Sequence, residues 1–207
     1  MDNHLLVVKK KGDLLTQNAE SGPSLEELLK KELKNKLQKK GEVFLHCVHR
    51  IDKSVSGLVL FAKTSKALSR LNEQIREKKI VRKYLAVIEG ILEKKEDILE
   101  HFLLRGDYQT KAVSSENSEA KKAVLQYRVL KEKNNFSLIE ITLLTGRYHQ
   151  IRAQFSSIGH PVYGDKKYNS KKDLKEIALH GYFLEFCHPV TKETLSFEWH
   201  KDFEDFF

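Results

Sequence analysis

The stretch His49-Arg50-Ile51-Asp52-Lys53-Ser54-Val55-Ser56-Gly57 runs directly into Leu58-Val59-Leu60-Phe61-Ala62. The second part is an unbroken apolar run with β-branched and aromatic members, the pattern of a strand buried on both faces. The first part is polar and sets a carboxylate, Asp52, among basic side chains. A loop at the edge of a rigid strand is a good place from which to aim a reactive group. The same segment also reads as a surface loop of screened ion pairs.

Outward from this stretch, further elements follow. Leu5 to Lys9 is a short strand ended by the turn Lys11 to Asp13. Ser24 with Glu27 forms a capping box that predicts a helix from Leu25 toward Gln38. Its face carries Lys30, Lys31, Lys34, Lys36, Lys39 and Lys40, either a solvated face or a phosphate-contacting stripe. Phe44 to Val48 reads as a strand. Ser65 is the expected cap of a helix from Lys66 to about Lys78, with Leu68, Leu71 and Ile75 on one stripe. Lys83 to Glu89 is a strand ending at Gly90, while residues 91–122 lack a clear period, with short strands at Leu99 to Leu104 and around Ala112, and read as a hairpin or an insertion. Ala123 to Leu130 and Phe136 to Leu143 alternate across Asn134-Asn135, which predicts a hairpin. A short helix over His149 to Ile158 stops at Gly159 and Pro161, and strands follow at Ile177 to Phe186 and Thr194 to Trp199. The order fits one α+β domain over residues 1–207 with a mixed, mostly antiparallel sheet and few helices.

The composition narrows the partners. The chain has 207 residues, 40% of them hydrophobic, and a formal charge of +8. That is enough apolar material for a core, and the basic excess suits a polyanion. Cys47 and Cys187 make no disulfide framework, which suits a reducing cytoplasm. No stretch approaches the roughly 20 apolar residues of a membrane span. His46, Cys47 and His49 lack the paired spacing of a zinc site, and no phosphate-binding loop or dinucleotide fingerprint is present, so neither metal nor cofactor is expected.

Two more segments carry chemistry. Thr145-Gly146-Arg147-Tyr148-His149-Gln150-Ile151-Arg152 lies at a strand-to-helix junction, where Gly146 permits an unusual turn. Amides at the helix start, with Arg147 and Arg152, would hold a phosphate or a carboxylate. Arg82-Lys83-Tyr84-Leu85-Ala86 sets a tyrosine on a strand entered through basic residues, where it either packs in the core or stacks on a base.

Taken together, HRIDKSVSGLVLFAK, RKYLAVIEG, TGRYHQIRAQFSSIGHPVYGDKKY, LHGYFLEFCHPVTKE and the opening NHLLVVKKKGDLLTQ resemble the ordered motifs of the RluA-type pseudouridine synthases. The likeness runs from about Asn3 to about Phe197, and ordered motifs are far more specific together than singly. It implies the pseudouridine synthase fold, with an RNA-binding cleft across a mixed sheet. It implies that Asp52 is the catalytic carboxylate, that Tyr84 contacts the target base, that Arg147 pairs with the catalytic Asp, and that Arg50 fills the gap left by a flipped nucleotide. His49, Lys83, His149 and Arg152 complete the expected RNA contacts. The implied activity is isomerisation of uridine in transfer or ribosomal RNA by a monomer, without the small N-terminal RNA-binding domain many relatives carry. Lys10-Lys11 stands where Lys-Pro is common, Ile51 where Leu is usual, and Val55 where Thr is common. A catalytically inactive RNA binder is the alternative. A glycoside hydrolase would need a second acid opposite Asp52, for which Asp165 and Glu140 are nominal candidates.

Overall fold

The structure is a computed structural model that describes residues 2–17 and 22–203. The chain divides into two compact units: residues 1–81 with 183–199, and residues 82–182 with 200–207.

The first unit is built around β3 (Ser56–Ala62), every residue of which is buried. It lies between β1 (Leu5–Lys10) and β9 (Leu179–Cys187), and β10 (Thr194–Glu198) pairs with β9. A strand covered on both faces reads as a near-continuous apolar run, and LVLFA meets that demand, with the buried Ser56 at the strand's start. β1 runs antiparallel to β3, with Leu5 opposite Ala62 and Lys10 opposite Gly57. α1 (Leu25–Lys36) starts at the Ser24 capping box, with both reciprocal bonds formed. α2 (Ser65–Arg76) is capped by Thr64, not Ser65: the Thr64 hydroxyl accepts from Ala67 N. Thr64 has the extended backbone a cap requires, so Ser65 becomes the first helical residue. Ala67 and Leu71, flanked by Leu68 and Ile75, pack with Leu58, Leu60, Leu184 and Phe186 in one core. The expected strand at Phe44 to Val48 shortens to β2 (His46–Cys47) against the end of β3.

The second unit is built on an antiparallel sheet. β4 (Val81–Glu89), β8 (Phe136–Leu143), β7 (Lys121–Lys133), β5 (Glu96–Arg105) and β6 (Thr110–Val113) follow one another across the sheet. The β7–β8 hairpin turns at Asn134 and Asn135, both with left-handed φ (51° and 62°), as a tight two-residue turn requires. Residues 91–122, without period in the sequence, form the β5–β6 hairpin and its flanks. α3 (Gln150–Ser157) packs on β5 and β6, with Gln150 to Phe155 all buried. Val87, Ala178 and Phe203 form a further core cluster. Among the described residues, no helix is long and apolar enough to cross a membrane.

Candidate active site

Asp52 sits half-buried on the loop that enters β3. The loop backbone is fixed from several sides. The buried His49 ring accepts Leu60 N–H at Nε2 (3.2 Å), which puts the ring proton on Nδ1. The buried Thr16 hydroxyl donates to Ile51 O at 2.9 Å. Val55 N closes a turn on Asp52 O at 3.1 Å. Lys10, with no exposed surface, donates its ammonium to Lys11 O (3.0 Å) and Lys53 O (3.2 Å). Each tie is a hydrogen bond to a buried or part-buried main-chain group, so breaking any of them leaves a polar group wanting. Arg50, two residues before Asp52, is exposed, so the loop presents a guanidinium to solvent.

The second unit carries the other sequence-selected residues. Tyr84 is buried on β4, opposite Ile141. Its ring lies over Gly181 of β9, where an added Cβ would stand 3.1 Å from Cε1. Gly181 was not singled out in the sequence, though a glycine inside an apolar strand is the signal that marks such a close approach. Lys83 points to the other face, where its ammonium lies 3.5 Å from Glu140 Oε2. Glu140 also accepts the Tyr182 hydroxyl at 3.1 Å and lies 3.6 Å from Arg128.

The turn at residues 145–147 is held by Gln150. Its Oε1 accepts Arg147 N–H (2.9 Å) and the Thr145 hydroxyl (2.8 Å), and its Nε2 donates to Val124 O (3.1 Å). Arg147 is exposed, with Nε donating to Lys122 O at 2.9 Å. Gly146 is not in the left-handed region; that role falls to His149, with φ 52°. Gly146 is needed for space. A Cβ there would meet both terminal nitrogens of Arg82 at 3.0 Å. Arg82 was not singled out in the sequence, yet its guanidinium lies against this turn, with Nε buried and lacking an acceptor.

His149 and Arg152 face inward. His149 stacks on Tyr148 (centroids 3.8 Å apart), and its Nδ1 lies 2.8 Å from the Tyr168 hydroxyl. Burial, with the charges of Arg152, Lys167 and Arg105, pushes its pKa down to about 2, so the ring is neutral at physiological pH. The Tyr168 hydroxyl, raised to about 12 chiefly by burial, accepts Thr110 N–H at 2.8 Å. Arg152, 5% exposed, grips Asp165, 2% exposed, through Nε (2.6 Å) and a terminal nitrogen (2.9 Å). The carboxylate that Arg152 holds is therefore that of Asp165. Glu140 and Asp165, the nominal second acids of a hydrolase, are thus both committed to cations.

Among the described residues, no group of His, Cys, Asp and Glu gathers to hold a metal. Cys47 has its thiol pushed up to about 11, mainly by burial, away from the thiolate range.

Comparison with known proteins gives a consistent result. The family model for RNA pseudouridylate synthase matches residues 3–157. The RNA pseudouridine synthase YlyB of Bacillus subtilis is 39% identical over 153 residues, covering 73% of this chain and 50% of the relative. Ribosomal large subunit pseudouridine synthase D of Haemophilus influenzae is 33% identical over 175 residues, covering 77% of this chain and 53% of the relative. The chain spans about half the length of these curated relatives. Among solved structures, human RNA pseudouridylate synthase domain containing 4 superposes with a TM-score of 0.82 at 22% identity, covering 98% of this chain and 87% of that one. Human domain containing 1 gives 0.77 at 22% identity, covering 97% and 81%. The structural likeness identifies the α+β fold of pseudouridylate synthases, and with a family model that takes in Asp52, Tyr84 and Arg147, the chain belongs to the RNA pseudouridylate synthase family.

Proposed function

We propose that this protein converts uridine in RNA to pseudouridine, with Asp52 as the catalytic carboxylate. The observation that carries the reading is the Asp52 loop: a half-buried acid on backbone tied down by His49, Thr16 and Lys10. Such fixing keeps a reacting group in place without cost at the moment of reaction. The reaction breaks the N1–C1′ bond and forms a C5–C1′ bond, while C5 loses a proton and N1 gains one. Every atom of the product is present in the substrate, so the reaction balances with no redox partner and no cofactor.

Asp52 acts on the sugar, on the base or as a proton acceptor at the 2′ side. A uridine within a helix must be everted first. Arg50, exposed two residues before Asp52, takes the vacated space, and Tyr84 packs under the base. Arg147 serves turnover, and Lys83 with Arg147 gathers phosphate. His49, His149 and Arg152 serve the RNA site from beneath, by holding the backbone that carries these groups. The names of the Haemophilus relatives make ribosomal RNA the first substrate to test, with transfer RNA second. The same reading has the protein act as a monomer in the cytoplasm.

The inactive-binder reading is disfavoured by the care with which the Asp52 backbone is held, since a binder gains nothing from a fixed acid in a basic protein. Selective chemical labelling should map at least one pseudouridine that disappears from RNA of cells lacking this protein and returns on re-expression. Identical maps with and without it would reject the function.

Gly181 supplies a local test. In Gly181→Ala the new methyl, 3.1 Å from Tyr84 Cε1, must displace the ring by a few tenths of an ångström. Misplacing a positioned group by a fraction of an ångström slows turnover, here by about tenfold. Single-turnover isomerisation should show that loss with an unchanged circular dichroism melt; an unchanged rate would separate Tyr84 from catalysis.

A further inference from the structure

The tip of the β5–β6 hairpin carries an aromatic ring for which the fold has no use. Gly106 N donates to Gln109 O at 3.0 Å and closes a turn over Gly106-Asp107-Tyr108-Gln109. Turn positions favour Gly, Asn and Asp for backbone reasons, and a tyrosine contributes nothing of that kind. Tyr108 is 71% exposed, so its ring gives little to the core either. The ring is nevertheless held: Lys167 Nζ lies 4.0 Å from its centroid. The hairpin root is held too, because the Thr110 hydroxyl donates to Tyr148 O at 3.0 Å and Thr110 N donates to the Tyr168 hydroxyl at 2.8 Å. Tyr148, 38% exposed, has the Arg105 guanidinium 4.6 Å from its own centroid. Tyr148 also stacks on His149, so with Arg105 its ring is already engaged by two groups, and Tyr108, with Lys167 at its ring, is the exposed aromatic left to take a ligand.

We infer that Tyr108, with Lys167 at its ring and Arg105 on the same hairpin, forms a stacking platform for unpaired nucleotides of the RNA substrate. The inference rests on RNA being the substrate. A base presents a flat π face that can lie on a ring, and the adjoining phosphate meets the cation at its edge. An acidic peptide would use the cations but leave the ring idle. A duplex hides its base faces, so the platform is selective for single strands. It acts on affinity and substrate choice and takes no part in bond making.

The test uses the full chain and two fluorescent probes, a 12-nucleotide oligouridine and a 12-base-pair RNA duplex, read by anisotropy. Tyr108→Ala should weaken oligouridine binding about tenfold while duplex binding stays within about twofold. Tyr108→Phe should bind as the native chain does, because the ring is kept. Lys167→Gln should weaken binding and lower the slope of log affinity against log salt by about 0.7, a change that Tyr108→Ala should not make. Native-like oligouridine affinity in Tyr108→Ala, an equal loss for both probes, or no binding of oligouridine by the native chain overturns the platform. Pseudouridine formation is measured on the same preparations. Isomerisation with native-like Tyr108→Ala binding sinks the platform alone; a tenfold binding loss in a protein that isomerises no RNA sinks the function alone.

Discussion

Asp52→Asn is expected to leave a folded, RNA-binding protein whose rate of pseudouridine formation falls by at least about 10³-fold, within the range for removing a directly participating group. The fold should persist because the ties on this loop run through the main chain. Ile51 O takes the Thr16 hydroxyl, Lys53 O takes the Lys10 ammonium, and Asp52 itself contributes its carbonyl to Val55 N. Asn has the same shape as Asp, so His49 and Val55 keep their packing. The melting midpoint should move by no more than about 2 °C. Asp52→Glu is the sharper companion. It keeps the charge but moves the carboxylate by about one methylene, and a displacement of that size costs on the order of 10²-fold. Single-turnover assays with saturating RNA separate these outcomes from weakened binding. Near-native isomerisation by Asp52→Asn would remove the acid from the mechanism. A large drop in melting midpoint would make it a structural residue instead.

The features written in local chemistry were legible beforehand. The Ser24–Glu27 capping box and the Asn134-Asn135 turn depend only on neighbours in sequence, and both are present as read. The apolar run Leu58 to Ala62 of β3 announced its own burial. The features that escaped depend on partners far along the chain. β5 alternates poorly because both of its faces are partly exposed, so its periodicity is blurred and the hairpin could be named only as one alternative to an insertion. Gly146 was read as a backbone device, but its reason is the Arg82 guanidinium that closes over it, more than sixty positions earlier in the chain. His49 reads as an exposed basic residue in its motif, yet its ring serves as an acceptor for a β3 amide eleven positions on. Arg152 reads as an anion-binding residue, which it is. Its anion stands thirteen residues away, beyond the end of α3, at a separation that no helical spacing reveals.

That buried pair supplies the largest expected effect on stability. Asp165→Ala removes the carboxylate that Arg152 grips through two nitrogens, at a site where the guanidinium is 5% exposed and lies over the Tyr168 ring. Removing one partner of a buried ion pair costs about 3–5 kcal/mol, because the remaining charge keeps its desolvation penalty without its counterion. The urea midpoint should fall accordingly at an unchanged m-value. Removing both charges is a different experiment. Arg152→Met with Asp165→Leu replaces the pair by apolar groups of similar bulk, and the penalty should shrink to about 1 kcal/mol or less. A coupling of at least about 2 kcal/mol between the two sites is therefore expected from the double-mutant cycle. A single-variant cost below about 1 kcal/mol would mean that water reaches the guanidinium and that the pair is not sealed. The double variant also separates stability from function. The pair fixes α3 at its first turn, directly after Arg147, Tyr148 and His149. If the fold recovers in the double variant while turnover remains low, the ion pair is retained for the orientation of that segment and not for the stability it adds.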